Sequence, residues 1–425
     1  MKAFITLTLR WLLCVVLLSG IGYAQSSAPA DPEPKTGSQP AKPADQQAQP
    51  AKPFLDIYGF AMMDAGYDFN QVHPDWFDVV RPTKLPSRAN EFGADGNTYF
   101  SVRQTRFGAK SEVPTDIGTL KTIFEFELFG TGTDAGQTTF RLRHAYGELD
   151  QFGAGQTWSP FMDIDVFPNS VEYWGPNGMV FFRNVQFRWM PLKGDSRITI
   201  ALERPGASAD GGVYRDRIEL QDIQPHFPMP DISGEARLGR KWGYVEAAAI
   251  LRRIKWVDNG TDQFDLSGDV WGWGVNFSSN LKVAKKDVLK LQLVYGEGIQ
   301  NYMNDAPEDV GAKPNPGNAA TPVTGEALPL IGVVAFYDHY WNDNFSSTIG
   351  YSMLDIDNSA SQADDAFRTG QYVVTNLLYY PVDDVMLGGE FQFGHRKNFR
   401  DGWKVADYRL QFSFRYNFSF RLGGN

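Results

Sequence analysis

From Tyr408 to Phe420 the chain alternates without a break. Tyr408, Leu410, Phe412, Phe414, Tyr416, Phe418 and Phe420 take one face, and Arg409, Gln411, Ser413, Arg415, Asn417 and Ser419 take the other. A repeat of two is that of a β-strand, whose successive side chains point to opposite sides. A strand of a soluble sandwich runs for about 5 or 6 residues. Thirteen alternating residues, at ~3.3 Å each and a tilt of ~45°, instead cover the ~25 to 30 Å of a bilayer's hydrocarbon layer. After the first 25 residues no window approaches the ~18 consecutive apolar residues of a spanning helix. Strands, not helices, are therefore the only elements of this chain that can cross a membrane.

The same pattern opens the region. Leu55, Ile57, Ala61, Met63, Ala65 and Tyr67 alternate with a face containing Asp56, Tyr58, Asp64 and Asp68. Further strands are predicted at 98–112, 118–129, 137–150, 152–158, 180–191, 195–204, 231–239, 242–253, 268–279, 288–299, 330–341, 344–355, 370–381, 385–396 and 404–420, which with 54–69 make sixteen. The connections alternate between long and short. Short ones such as Asp150-Gln151 and Asn342-Asp343 are turn-like, while 205–230 and 300–329 are long and rich in Gly, Pro and charge. An up-and-down antiparallel barrel with tight turns at one end and longer loops at the other needs this rhythm. The expected fold is thus an all-β, transmembrane, sixteen-stranded barrel, closed so that every backbone group is paired in lipid.

A barrel of that size encloses more space than side chains alone fill, so its bore is wet and its inner face polar. Leu120, Phe124, Phe126 and Leu128 oppose Lys121, Glu125 and Glu127; Phe140, Leu142 and Tyr146 oppose Arg141 and Arg143. Arg188 has inward parity beside outward Phe187 and Trp189, and Arg183 reads as part of the preceding loop. Arg103 and Arg106 are three apart and fall on opposite faces unless a bulge intervenes; Arg106 is the one expected inward, with Phe107 and Ala109 outward. Arg106, Lys121, Arg141, Arg143, Arg188, Arg409 and Arg415 then form a basic ladder, and guanidinium groups grasp carboxylates bidentately without a delicately poised pKa.

One connection is unlike a surface loop. Residues 159–179 are rich in Phe, Met, Ile, Val, Tyr173 and Trp174, with acids Asp163, Asp165 and Glu172. An apolar loop of this kind is expected to fold into the lumen and form the constriction, its acids facing the basic ladder across a transverse field suited to small anions.

At the start of this loop Gly155-Gln156-Thr157-Trp158-Ser159-Pro160-Phe161, followed by Pro168-Asn169 and Trp174-Gly175-Pro176, resembles the DcaP-like trimeric outer-membrane porins of Gram-negative bacteria. The preceding Arg141-Leu-Arg143-His-Ala-Tyr-Gly147 resembles the matching strand of general porins. The likeness spans 54–420. It implies a homotrimer in the outer membrane, in contact with lipid and lipopolysaccharide, with the third outer loop folded inward and uptake of small anionic solutes such as dicarboxylates. The chain departs from the family in two places. Residues 25–53 carry proline every few residues and no apolar heptads for a coiled coil, and Arg421-Leu-Gly-Gly-Asn425 follows the last aromatic residue.

Ahead of the barrel, Lys2 and Arg10, the apolar run Trp11–Leu18 and Gly22-Tyr23-Ala24 read as a signal peptide over 1–24, and 25–53 as a Pro/Ala-rich periplasmic tether. The single cysteine, Cys14, lies inside the signal, so disulfide and thiolate chemistry are not expected of the mature chain. A formal charge of -10 argues against nucleic acid. Two other readings compete with a pore. An enzyme lacks HExxH, GxSxG and P-loop spacings and any evident serine partner for His144 or His395. A plugged structural or adhesive barrel differs from a porin in passing no current. No cofactor or metal is expected; Asp355, Asp357 and the acids from Asp258 to Asp265 read as solvated loop charge.

Overall fold

A computed structural model describes residues 52–424. The signal peptide and nearly all of the expected tether lie outside the described residues. Sixteen strands form the wall. The first eight are β1 Phe54–Asp68, β2 Arg106–Thr115, β3 Gly118–Phe129, β4 Thr138–Leu149, β5 Phe152–Trp158, β6 Arg183–Leu192, β7 Arg197–Glu203 and β8 Asp231–Arg240. The rest are β9 Gly243–Asp258, β10 Gly268–Lys282, β11 Val288–Glu297, β12 Pro329–Tyr340, β13 Phe345–Ile356, β14 Phe367–Tyr379, β15 Val385–Asn398 and β16 Lys404–Gly423. Each is antiparallel to its neighbours, and β1 pairs with β16 along its full length, from Phe54 opposite Gly423 to Asp68 opposite Arg409, which closes the barrel.

The outer wall is greasy, as the alternation requires. On β16 the outward Phe412, Phe414, Tyr416 and Phe420 are exposed while the inward Arg409, Gln411 and Ser413 are buried. Connections at the end carrying both described termini are tight, and those at the other end are long except for 399–403. Gly243 shows what a tight turn demands: its φ is +128° and a Cβ there would meet the Asn280 carbonyl oxygen at 1.9 Å, so only glycine fits.

Three departures from simple parity have local causes. The expected strand 98–112 is interrupted. Asn97–Ser101 pairs with Asp64–Asp68 of β1, and β2 resumes at Arg106, so 102–105 bulge out of the ladder. The bulge lets both Arg103 and Arg106 turn inward. A second irregularity sets Glu125 opposite His144 but Phe126 opposite Leu142. The extra residue of β4 reverses its parity, so His144 and Tyr146, expected outward, point into the bore. His144 bonds Thr157 Oγ1 at 3.0 Å, and Tyr146 lies 5.2 Å from the Arg188 guanidinium.

The third departure is the largest. On β9 to β14 the inner face is partly apolar. Ala248, Ile250, Val294, Val334, Phe336, Leu354, Ile356, Tyr372 and Val374 are buried against Phe161, Met162, Val166, Met179 and Val180 of the loop 159–182, and against Ile299, Tyr302 and Met303 of the connection 298–328. These strands are apolar on both faces because lipid covers one and inward loops cover the other. The inner faces of β16 and β1 to β7 are polar by contrast, with Asp64, Asp68, Gln186, Glu203, Arg409 and Gln411 among them.

Candidate functional site

The loop 159–182 leaves β5 and follows the inner wall, docking strand by strand through groups that face inward from each. Asp163 reaches β8 to β10, accepting from Arg237 Nη2 at 2.6 Å, Tyr244 Oη at 2.7 Å and Ser278 Oγ at 2.6 Å. Lys290 of β11 donates to the Phe167 carbonyl at 2.5 Å, and Asn169 Nδ2 donates to Ser346 of β13 at 3.0 Å. The backbone N–H groups of Val171 and Glu172 donate to Glu390 of β15 at 2.9 and 3.0 Å. Each contact satisfies a polar group that would otherwise be stranded beneath the loop.

Having gone round, the loop presents Tyr173 to β3 and β4. Its ring stacks on Phe129 with centroids 3.9 Å apart, and Phe129 lies 3.8 Å from the guanidinium carbon of Arg103. Arg103 is itself fixed by Asp78 at 2.6 Å and the Gly130 carbonyl at 2.9 Å. The Tyr173 hydroxyl donates to Glu127 and accepts from Arg141. Burial raises the pKa of the Tyr173 phenol, which keeps it protonated.

Around this contact four guanidinium groups gather on two carboxylates. Glu127 accepts from Arg141 Nε at 3.0 Å and Arg143 Nη1 at 2.8 Å, with Arg106 at 3.5 Å and Arg183 at 3.7 Å. Glu125 accepts from Arg143 Nε at 2.5 Å and Tyr58 Oη at 2.8 Å, with Arg106 at 3.6 Å. Glu127 and Arg143 are buried, whereas Arg106 and Arg141 stay half-exposed, their side chains 26% and 21% accessible. With both glutamates ionised the cluster keeps two positive charges in excess, on side chains open to the bore.

Of the residues singled out in the sequence, Arg106, Glu125, Glu127, Arg141, Arg143 and Tyr173 come together here. Lys121 does not: it sits near the tight-turn end and faces Glu112 at 3.5 Å. Arg188 stands apart, held by Gln186 Oε1 at 3.1 Å and the Trp158 carbonyl. The loop acids do not line the bore opposite the arginines. Asp163 and Asp165 are bound to Arg237, whose Nε also donates to Glu246 at 2.5 Å. Glu172 is buried and accepts the N–H groups of Val80, at 3.1 Å, and Gly175. The physical reason is desolvation: an acid carried into the barrel by an apolar loop needs a donor at once, and the wall supplies one. Burial and the adjacent Asp163 raise the pKa of Asp165, and burial pushes that of Glu172 up to about 7.

Arg183 and Arg237 are additional site residues. Arg237 has the inward parity of its strand and was legible from alternation. Arg183 has outward parity, and only its place at the very start of β6 lets its side chain bend back, 4.8 Å from the Trp158 ring.

Comparison with known proteins agrees with this architecture. Residues 36–222 match the family model described as DcaP outer membrane protein. The crystal structure of the outer membrane channel DcaP of Acinetobacter baumannii superposes with a TM-score of 0.70 at 21% identity, covering 86% of this chain and 98% of that one. An anion-selective porin from Comamonas acidovorans gives 0.54 at 10% identity over 86% and 100% of the two chains. Outer-membrane expressed OmpT of Vibrio cholerae gives 0.53 at 10% identity over 88% and 100%. A stretch of 126 residues, 29% of the chain, is 27% identical to UTP–glucose-1-phosphate uridylyltransferase of Musa acuminata. The chain spans only 25% of that enzyme's length, and its fold is that of the channels.

Proposed function

We propose that this chain, whose residues 36–222 match the DcaP outer membrane protein model and whose barrel is of porin type, lies in the outer membrane of a Gram-negative bacterium, passes small hydrophilic solutes, favours small anions such as dicarboxylates, and works as a homotrimer in contact with lipopolysaccharide. The observation that carries the anion preference is the arginine cluster at Tyr173, where Arg106, Arg141, Arg143 and Arg183 surround only Glu125 and Glu127. A passing carboxylate trades its water for the half-exposed Arg106 and Arg141, and the two fixed glutamates keep the site from binding it too tightly for release. The acids of the inward loop lie elsewhere. Asp163, Asp165, Glu235 and Glu246 gather on Arg197 and Arg237 where the loop docks on the wall, so they do not oppose the arginine cluster.

The anion-selective porin named above supports selectivity, and the trimer form of in-vitro folded OmpT of Vibrio cholerae supports trimeric assembly, both by analogy of fold. The test is a reversal-potential measurement on the full chain in planar bilayers under a salt gradient, with liposome swelling in matched dicarboxylates, sugars and amines. A reversal potential on the anion side and faster entry of dicarboxylates than of amines of equal size are expected. Equal entry of both would overturn the anion reading, and the absence of any current would favour a plugged barrel.

A further inference from the structure

At the mouth bearing the long connections lies a second site, separate from the arginine cluster. A cleft of about 350 Å³ opens between the loops 69–105, 204–230, 298–328 and 357–366, lined among others by His73, Lys84, Asp210, Glu308, Gln362 and Arg396. That volume is in the range of small-molecule sites.

Part of the charge beside it is already paired. In the segment 305–309, Asp305 is taken by Arg81 at 2.9 Å and by the Thr83 N–H at 2.9 Å, and Asp309 by Arg252 at 2.8 Å and the N–H groups of Asn301 and Ser208, each at 3.0 Å. Glu308 stands between them and faces the cleft with no cation within ion-pair distance among the described residues. Across the cleft Lys84, at the end of the turn Pro82–Lys84, likewise has no ion pair among the described residues. Burial and the neighbouring Arg81 lower the Lys84 pKa, and burial with Asp210 raises that of Glu308, while Lys84 and Glu308 oppose these shifts in each other from across the cleft without touching.

Arg396 completes the set. It is buried, and its guanidinium is fixed by Asn398 Oδ1 at 2.8 Å and by the carbonyls of Thr83, Leu85 and Asp365 at 3.0, 3.2 and 3.0 Å. All four acceptors are neutral. One of the five N–H groups of a guanidinium is left over, and its positive charge has no carboxylate partner. The cleft thus presents Lys84 and Arg396 on one side and Glu308 on the other, none of them in ion-pair contact, beside Arg215, Asp210 and Asp365, which make no ion pair either among the described residues.

We propose that this cleft binds a small zwitterion, its carboxylate on Lys84 and Arg396 and its ammonium on Glu308. A simple anion would leave Glu308 unpaired, and a simple amine would leave both cations so. A molecule carrying both charges satisfies all three groups, each through a charge-assisted hydrogen bond. Because the cleft is at the mouth, it concentrates such a solute ahead of the bore.

The test is calorimetric titration of the detergent-solubilised full chain with 4-aminobutanoate, succinate and butylamine. 4-Aminobutanoate should bind about ten-fold more tightly than either of the others, the effect of one added charge-assisted bond. Glu308→Gln should erase that advantage without weakening succinate, and Lys84→Met should weaken 4-aminobutanoate and succinate together, with Lys84→Arg restoring both. The same titrations are repeated in the Arg141→Gln/Arg143→Gln background, where the bore cluster no longer contributes carboxylate binding; the preference of about ten-fold for 4-aminobutanoate should persist there, so failure of this site and failure of the anion-selecting cluster are distinguishable. Absence of binding by 4-aminobutanoate, equal affinity for succinate, or an unchanged 4-aminobutanoate affinity in Glu308→Gln would each overturn the proposal.

Discussion

Tyr173 lies flat on Phe129, ring centroids 3.9 Å apart and planes within 10°. This stack joins the tip of the inward loop to the strand that carries Glu127, so the loop and the charged cluster meet at one contact. A stacked aromatic pair is worth about 0.5–1.5 kcal/mol beyond its buried area.

Tyr173→Phe should therefore preserve the stack and the conductance, while removing the hydroxyl between Arg141 and Glu127. Tyr173→Ala removes both, and single-channel conductance should rise as the tip withdraws from β3. Conductances of the two variants that cannot be told apart would mean that the ring does not hold the loop.

Neutralising the half-exposed arginine with its buried neighbour tests the electrostatics. In Arg141→Gln/Arg143→Gln the cluster passes from a net positive to a neutral balance, and the reversal potential under a salt gradient should move to or past zero. An unchanged potential would place selectivity elsewhere. Replacing Lys121, which faces Glu112 near the other end, serves as the comparison and should have a smaller effect.

The inward loop also has a pH-dependent anchor. Glu172 is buried without an ion pair, its carboxyl pushed up from 4.5 to about 7. A raised carboxyl value means that folding favours the protonated form. The contribution is complete below about pH 4.5 and is lost as the pH climbs toward 7, a swing of roughly 3 kcal/mol. Glu390 and Tyr372 contact the same segment, so the variant to measure is Glu172→Gln. It should narrow the difference in unfolding temperature between pH 5 and pH 8, read as the temperature at which the folded electrophoretic band disappears. A difference equal to that of the unaltered protein would rule Glu172 out as the source.

Arg237 is expected to be the costliest single arginine to remove. It is buried and bound to Asp163, Asp165 and Glu246 at once, and deleting one partner of a buried ion pair costs about 3–5 kcal/mol. Arg237→Ala should lower the unfolding temperature more than Arg188→Ala, whose partners are neutral. Arg237→Ala combined with Asp163→Asn should recover part of the loss. No recovery in the double variant would mean that stranded charge is not the cause.

How much of this was readable in advance follows from the range of each interaction. Alternation is a local property, so Phe412 and Phe414 could be set outward and Gln411 inward before any fold was known, and the loop 159–179 could be sent inward because its apolar side chains had no business in water. Parity, however, counts residues and assumes that none is extra. At Arg143 and His144 one is, and every assignment beyond it on β4 reverses, so that Tyr146, expected outward, points inward.

The sequence alone therefore determined a wall of sixteen amphipathic strands, the end at which the long loops lie, and a cationic set of residues bound for the interior. Only the closed barrel decided which charges meet. Tyr173 finds Glu127 across 46 residues of chain and Arg237 finds Asp163 across 74. The same closure let two loops cover the inner face of β9 to β14, which is why those strands carry apolar side chains on both sides. A pairing made through space leaves no period in the chain, and so it becomes visible only once the strands have closed around it.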